Sequence, residues 1–199
     1  MQLTEIRIAG FGGQGVMLSA HIIGKAAAVY QGAYATMTQS FGPEARGGAA
    51  SAQVILSERP ILYPYVTRPD ILIAMSQEAY SRFVPELKPN GLLLVEGDLV
   101  RISDLPAGVR VHSIPATRLA EELGRRMVLN VVMVGFFGAI TALLEPDALR
   151  KAVMDSVPPA MRDLNVRAFE KGFEYGLTTL HGERTRDAEH PALPLEAHD

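Results

Sequence analysis

The chain has 199 residues, a formal net charge of −3 at pH 7, and 48% hydrophobic against 21% charged residues. That is enough chain for one domain with a sizeable core, and the mild acidity excludes a global attraction to nucleic acid or to an anionic membrane surface. Cysteine is absent, which excludes disulfides, a thiol nucleophile and a cysteine-ligated zinc or iron–sulfur site within this chain. The opening Met1-Gln2-Leu3-Thr4-Glu5 does not read as a secretory leader, and the apolar runs break well before the roughly 20 residues a membrane-crossing helix needs. A cytoplasmic protein is expected. The histidines His21, His112, His181, His190 and His198 show no metal-type spacing.

The first strand is expected over Glu5 to Ala9, alternating on Ile6 and Ile8. Gly10-Phe11-Gly12-Gly13-Gln14-Gly15 follows, and then a helix from about Gln14 to Gln31 with Gly32 as its C-cap. Strand, glycine-rich turn and helix in that order place backbone amides where a phosphate or carboxylate would be favoured. Gly10, Gly12 and Gly15 match the dinucleotide fingerprint G-x-G-x-x-G. An NAD site also expects an acidic residue about 20 residues later, on the second strand. That strand is expected over Ala33 to Thr38, and no Asp or Glu occurs between Gln31 and Gly42. The nicotinamide reading loses weight, and the plain alternative is a tight turn without a ligand.

Ser40-Phe41-Gly42-Pro43-Glu44-Ala45-Arg46-Gly47-Gly48 reads as a loop. We place it at the carboxyl end of a central strand, where open α/β sheets bind ligands. Arg46 offers a fork of donors for a carboxylate or phosphate, and Glu44 can orient it. The alternative is a surface turn whose Glu–Arg pair contributes about 0–1 kcal/mol.

Farther along, Ala49 to Ser57 alternates as a strand, and Ile61 to Tyr65, interrupted by Pro64, suggests a short edge strand. Asp70 to Met75 and Gly91 to Val95 are continuous apolar runs and therefore buried strands. Ser76 is placed to cap a helix over Gln77 to Val84. A strand over Val109 to Ile114 leads through Pro115 into a helix over Ala116 to Gly124. Asn130 is placed as the N-cap of a helix over Val131 to Leu144, so apolar all round that it belongs in the core or at a subunit interface. Helices over Asp147 to Asp155 and Ala160 to Leu180 complete the pattern. The alternation predicts a single three-layer, Rossmann-like α/β domain over residues 1–180. Its sheet is mainly parallel, with an antiparallel excursion at one edge over Ala49 to Tyr65. Residues 181–199 are expected to form a polar tail.

Several of these features occur together and in order: the Gly10–Gly15 turn, the Ser40–Gly48 loop, Val54 with Ser57, Pro64, Asp70, Gln77-Glu78-Ala79-Tyr80 and the helix headed by Asn130. Over residues 3 to 180 this set resembles the gamma subunit, or gamma domain, of 2-oxoacid:ferredoxin oxidoreductases. The resemblance implies an accessory subunit, inactive alone, of a pyruvate- or 2-oxoglutarate-type enzyme that decarboxylates a 2-oxoacid and delivers the acyl group to coenzyme A. Thiamine diphosphate and iron–sulfur clusters would lie on partner alpha and beta subunits, with a ferredoxin-like delta subunit where one is present. Ferredoxin would be the electron acceptor. It further implies that Gly10, Gly12, Gly13, Gln14, Gly15, Ser40, Gly42, Glu44, Arg46, Gly47, Gly48 and Asn130 line a coenzyme A cleft by positioning, with no catalytic side chain and no metal ligand of their own. Phe41 stands where many relatives carry Tyr, so one hydroxyl is missing. Two other readings stay open: a purely structural subunit, and a free-standing dinucleotide-binding oxidoreductase.

Overall fold

The computed structural model describes residues 3–41 and 49–189. A six-stranded sheet runs in the order β2-β3-β1-β4-β5-β6. Its strands are β1 (Thr4–Phe11), β2 (Tyr34–Phe41), β3 (Ala49–Ser57), β4 (Ile71–Ala74), β5 (Leu92–Glu96) and β6 (Arg110–Ile114). β1, β4, β5 and β6 are mutually parallel, whereas β3 runs antiparallel to both β1 and β2. The mainly parallel sheet with an antiparallel edge is therefore observed, but the second strand is not central: it is the edge strand, because β3 folds back between it and β1. Ile61 to Tyr65 forms no strand. Pro64 removes one ladder donor, and the residue after the segment is held by side chains instead, Val66 N donating to Gln53 Oε1 at 2.9 Å.

β4 and β5 are buried along their whole length, as parallel strands covered on both faces must be. Ile6, Ile8, Ile71, Ile73 and Leu94 point to one face and pack under α1 (Val16–Lys25), α3 (Ala116–Glu122), α4 (Leu129–Thr141), α5 (Pro146–Asp155) and α6 (Arg162–Glu189). Leu72, Ala74, Leu93 and Val95 point to the other, under Ala79, Tyr80 and Phe83 of α2 (Gln77–Phe83). Ser76 caps α2 as expected, its side chain accepting from Ala79 N. The thinner face also buries Arg7, which bonds the Glu86 carboxylate, donates to Val66 O at 3.1 Å and lies 4.7 Å from the Phe83 ring centroid. A charge in that position needs those partners, since desolvation alone would cost several kcal/mol.

α4 is buried from Leu129 to Ala139. Its apolar surface is taken up by α6, with α1, α3 and α5 around it, so of the two places considered above, core and subunit interface, the core is the one observed. The approach of α4 to α6 is set by glycine on both sides. A Cβ on Gly135 would sit 2.0 Å from Phe169 O, and one on Gly172 would sit 1.9 Å from Val132 O. Asn130 is not the N-cap of α4; that position is Val128, the last residue of a 3₁₀ turn over Arg126–Val128. α1 ends in a π-helical turn, Ala26–Tyr30. α6 continues to Glu189, past the expected end at Leu180. Among the described residues no helix is long and apolar enough to cross a membrane.

At the amino end of the parallel strands, Lys88 Nζ meets Glu5 Oε2 at 2.7 Å and Asp70 Oδ1 at 2.8 Å. Burial pulls the ammonium pKa down, but the hydrogen bonds it donates to Asp70 and Glu5 outweigh it and leave the pKa above its ordinary value. The contribution to stability is therefore complete below that ordinary value and fades as pH rises through the raised one. Because Lys88 is 37% exposed, solvent screening keeps it small.

Replacing Gly172 by Ala should destabilise the fold by about 1–3 kcal/mol, the cost of overpacking a site with no room to give. Urea unfolding of G172A measures this, and an unchanged midpoint would mean the helices can separate freely.

Candidate functional site

The carboxyl ends of β1 and β2 lie at the same end of the sheet. Gly10 pairs with Ala50, and Ala50 pairs with Phe41. With strands about 4.8 Å apart, the two strand ends are separated by roughly 10 Å across β3. The glycine turn leaves one of them and residues 42–48 leave the other. Gly42, Glu44, Arg46, Gly47 and Gly48 fall outside the described residues. Ser40 is exposed and lies opposite Ser51 of β3.

The turn is built around Gln14. Its Oε1 accepts from Phe11 N at 2.6 Å, and its Nε2 donates to Met75 O at 2.8 Å. Gln14 N also donates to Phe11 O at 3.1 Å. One amide side chain thus closes the turn and ties it to the end of β4. Gly10 must be glycine for this, since a Cβ there would lie 2.5 Å from Gln14 Oε1. Gly15 then starts α1 with φ 76°, a conformation that favours glycine. Its carbonyl accepts from Ser19 N at 3.0 Å, Ser19 Oγ at 3.2 Å and Asn130 Nδ2 at 3.4 Å. A Cβ on Gly15 would meet the Asn130 amide at 2.6 Å.

Gln14 and Asn130 therefore meet at the turn, and both spend amide groups inward, holding its backbone. Gly12 and Gly13, with Phe11, form the exposed crest. Open space lies where a Gly13 Cβ would stand. Helix geometry leaves the first amides of α1 without intrahelical acceptors, so the turn offers donors at fixed positions. No ionisable side chain occurs from Gly10 to Ser19, so this crest is suited to holding a ligand rather than moving its protons. Sequence reasoning missed Ser19 and the Met75 carbonyl. Ser19 was open to discovery as the residue four beyond Gly15, whereas the Met75 contact depends on β4 lying beside β1. Among the described residues no group of three or more His, Asp and Glu side chains is arranged to hold a metal.

A dinucleotide fold needs its second strand parallel and next to the first. Here β3, antiparallel, occupies that place, so the position from which an acidic residue would hold a ribose does not exist. That finding, with the missing carboxylate, counts against the dinucleotide reading.

Residues 5–175 match the family model described as pyruvate ferredoxin/flavodoxin oxidoreductase. The chain is similar to the 2-oxoglutarate synthase subunit KorC of Methanocaldococcus jannaschii, with 44% identity over 172 residues, 85% of this chain and 92% of that one. It superposes on the gamma subunit of a keto/oxoacid ferredoxin oxidoreductase from Geobacter sulfurreducens with a TM-score of 0.77 and 39% identity, covering 88% of this chain and 99% of the other. It also superposes on the 2-oxoglutarate:ferredoxin oxidoreductase of Magnetococcus marinus, solved with 2-oxoglutarate, coenzyme A and succinyl-CoA bound. There the TM-score is 0.80 and the identity 25%, over 90% of this chain but 32% of that one.

Replacing Gln14 by Ala should cost about 1–3 kcal/mol, because the Phe11 amide and the Met75 carbonyl each lose their partner. Hydrogen exchange should quicken at Phe11 while the α4 amides stay protected. Equal exchange at Phe11 in variant and parent would show that the turn does not depend on this side chain.

Proposed function

The chain belongs to the pyruvate ferredoxin/flavodoxin oxidoreductase family, and from that premise we propose that it is the gamma subunit of a 2-oxoacid:ferredoxin oxidoreductase acting on 2-oxoglutarate. The observation that carries the substrate class is the identity with KorC over nearly the full length of both chains. Relatives named for 2-oxoglutarate reach 46% identity, against 31% for those named for pyruvate.

The complex would oxidatively decarboxylate 2-oxoglutarate and transfer the acyl group to coenzyme A, passing electrons to ferredoxin. The iron–sulfur clusters do not fit this chain, which has no cysteine to ligate them. They and thiamine diphosphate belong on the alpha, beta and delta subunits, and this chain alone is inactive.

Coenzyme A fits better. The crest at Gly12 and Gly13 presents fixed backbone donors, and the end of β2, which precedes Arg46 in sequence, lies at the same end of the sheet, roughly 10 Å away. Gly10, Gly12, Gly13 and Gly15 would hold the phosphates or the pantetheine arm by their backbone, with Ser40, Glu44, Arg46, Gly42, Gly47 and Gly48 forming the facing rim. Gln14 and Asn130 keep the crest rigid. The share of catalysis is positioning: a cosubstrate held in reacting geometry needs no proton from this chain. The bonds that occupy Gln14 and Asn130 internally also suit a second reading, in which the turn is purely a packing element against a partner.

Two measurements separate these readings. The chain purified with its native partners should bring down larger subunits containing iron and thiamine diphosphate, with 2-oxoglutarate oxidised faster than pyruvate. A lone colourless monomer would remove the subunit reading. In the assembled enzyme, Arg46→Ala should raise the KM for coenzyme A about tenfold or more, the worth of one charge-assisted hydrogen bond, with kcat little changed. Normal coenzyme A kinetics beside weakened assembly would make the loop an interface element instead.

A further inference from the structure

α4 begins beside the glycine turn. Asn130 Nδ2 donates to Gly15 O at 3.4 Å, Ser19 Oγ donates to Asn130 O at 3.4 Å, and a Cβ on Gly15 would stand 2.9 Å from Asn130 Cβ. The helix then runs down the sheet. At its far end Ile140 and Thr141 line an opening with Thr4, Asp70 and Gly91, at the amino ends of the parallel strands. The residues just before Asn130 therefore rise past the carboxyl end of the sheet, on the α1 side of the turn. Four residues of helical rise, about 1.5–2 Å each, put Arg126 roughly one turn above Asn130.

Arg125, Arg126 and Met127 stand there, all three exposed, Met127 at 65%. The backbone beneath them is fixed. Arg125 N donates to Ala120 O at 3.2 Å, Val128 N donates to Arg125 O at 3.2 Å, and Val128 and Leu129 are buried. Among the described residues neither guanidinium has a carboxylate partner, and Glu122, close by in sequence, is taken by Lys171. Two unpaired cations thus flank a turn that has no ionisable side chain of its own from Gly10 to Ser19. Backbone amides at the crest suit the uncharged, amide-rich part of a ligand. Phosphates, which carry nearly all of a nucleotide's charge, are held best by the planar fork of a guanidinium.

We propose that Arg125 and Arg126 hold the phosphorylated adenosine end of coenzyme A, and that the crest at Gly12 and Gly13 takes the uncharged pantetheine arm. Met127 gives the adenine an apolar, polarisable contact. The inference rests on the coenzyme A reading above and divides the cosubstrate between two parts of that site. The nucleotide lies over the start of α4, and the thiol end lies farthest from the arginines. Both arginines act by binding and orienting, and neither moves a proton.

The test uses the assembled enzyme. R125A/R126A should raise the KM for coenzyme A about tenfold or more, with kcat and the KM for 2-oxoglutarate within about twofold of the parent. Dephospho-coenzyme A, which lacks the 3′-phosphate, supplies a readout that a merely structural role would not move. The parent should show a KM for it at least fivefold above that for coenzyme A, and this ratio should fall to near one in R125A/R126A. Each single variant should shift in the same direction, which keeps the test open should the double variant assemble poorly, and Arg126→Lys should fall between parent and R126A. Arg110→Ala, exposed at the amino end of β6, should match the parent. Equal KM values for the two cosubstrates in the parent, or an unchanged ratio in the variants while Arg46→Ala raises the KM, overturns the assignment to these arginines and leaves the coenzyme A reading standing. Weakened assembly with normal coenzyme A kinetics would make them contacts to an acidic partner surface and overturn it too. If neither the Arg46 nor the Arg125 and Arg126 variants alter coenzyme A kinetics, the coenzyme A reading falls, and this inference with it.

Discussion

The approach of α4 to α6 is the contact on which the arrangement turns. Gly135 faces the carbonyl of Phe169, and Gly172 faces the carbonyl of Val132, at distances that leave no room for a methyl group. Two helices at that separation exclude water from nearly the whole surface of α4, which is why a segment so apolar belongs inside one chain. The same contact fixes the start of α4, and with it Asn130, beneath the Gly15 carbonyl. Core packing and site geometry are therefore linked through a single helix.

From there the turn is held on two sides. Gln14 ties it to the end of β4, and Asn130 with Ser19 ties it to α4 and α1. A glycine-rich backbone has the greatest conformational freedom to lose, so it becomes a precise donor array only when neighbours restrict it. That division of labour explains why Gln14 and Asn130 sit at the site and yet face inward. They keep the exposed crest in one shape, and the crest is what remains for a ligand or a partner.

The antiparallel hairpin formed by β2 and β3 gives the fold its departure from a nucleotide-binding plan. It inserts β3 beside β1 and carries β2 to the edge, where an uncharged strand meets solvent. β1 and β2 run in the same direction on either side of β3, so their carboxyl ends lie on one side of the sheet, two strand spacings apart. Loss of a parallel neighbour beside β1 and the spacing of the two strand ends are thus consequences of one topological choice.

Much was legible in the sequence because local chemistry decides it. Asp70 to Met75 and Gly91 to Val95 read as buried strands from their unbroken apolar runs. Ser76 read as a cap from its hydroxyl before an apolar-periodic segment, and the strand–turn–helix at Gly10 from its glycines. Absence of cysteine by itself removed iron–sulfur ligation from this chain. The order of strands, the inward use of Gln14 and Asn130, and the choice between core and interface for α4 were not legible. Each depends on which segments become neighbours: Met75 is 61 residues from Gln14, and Asn130 is 115 from Gly15. Residue type and spacing determine what a segment can form. Only the packed structure decides which backbone groups are already paired, and therefore which are left to act.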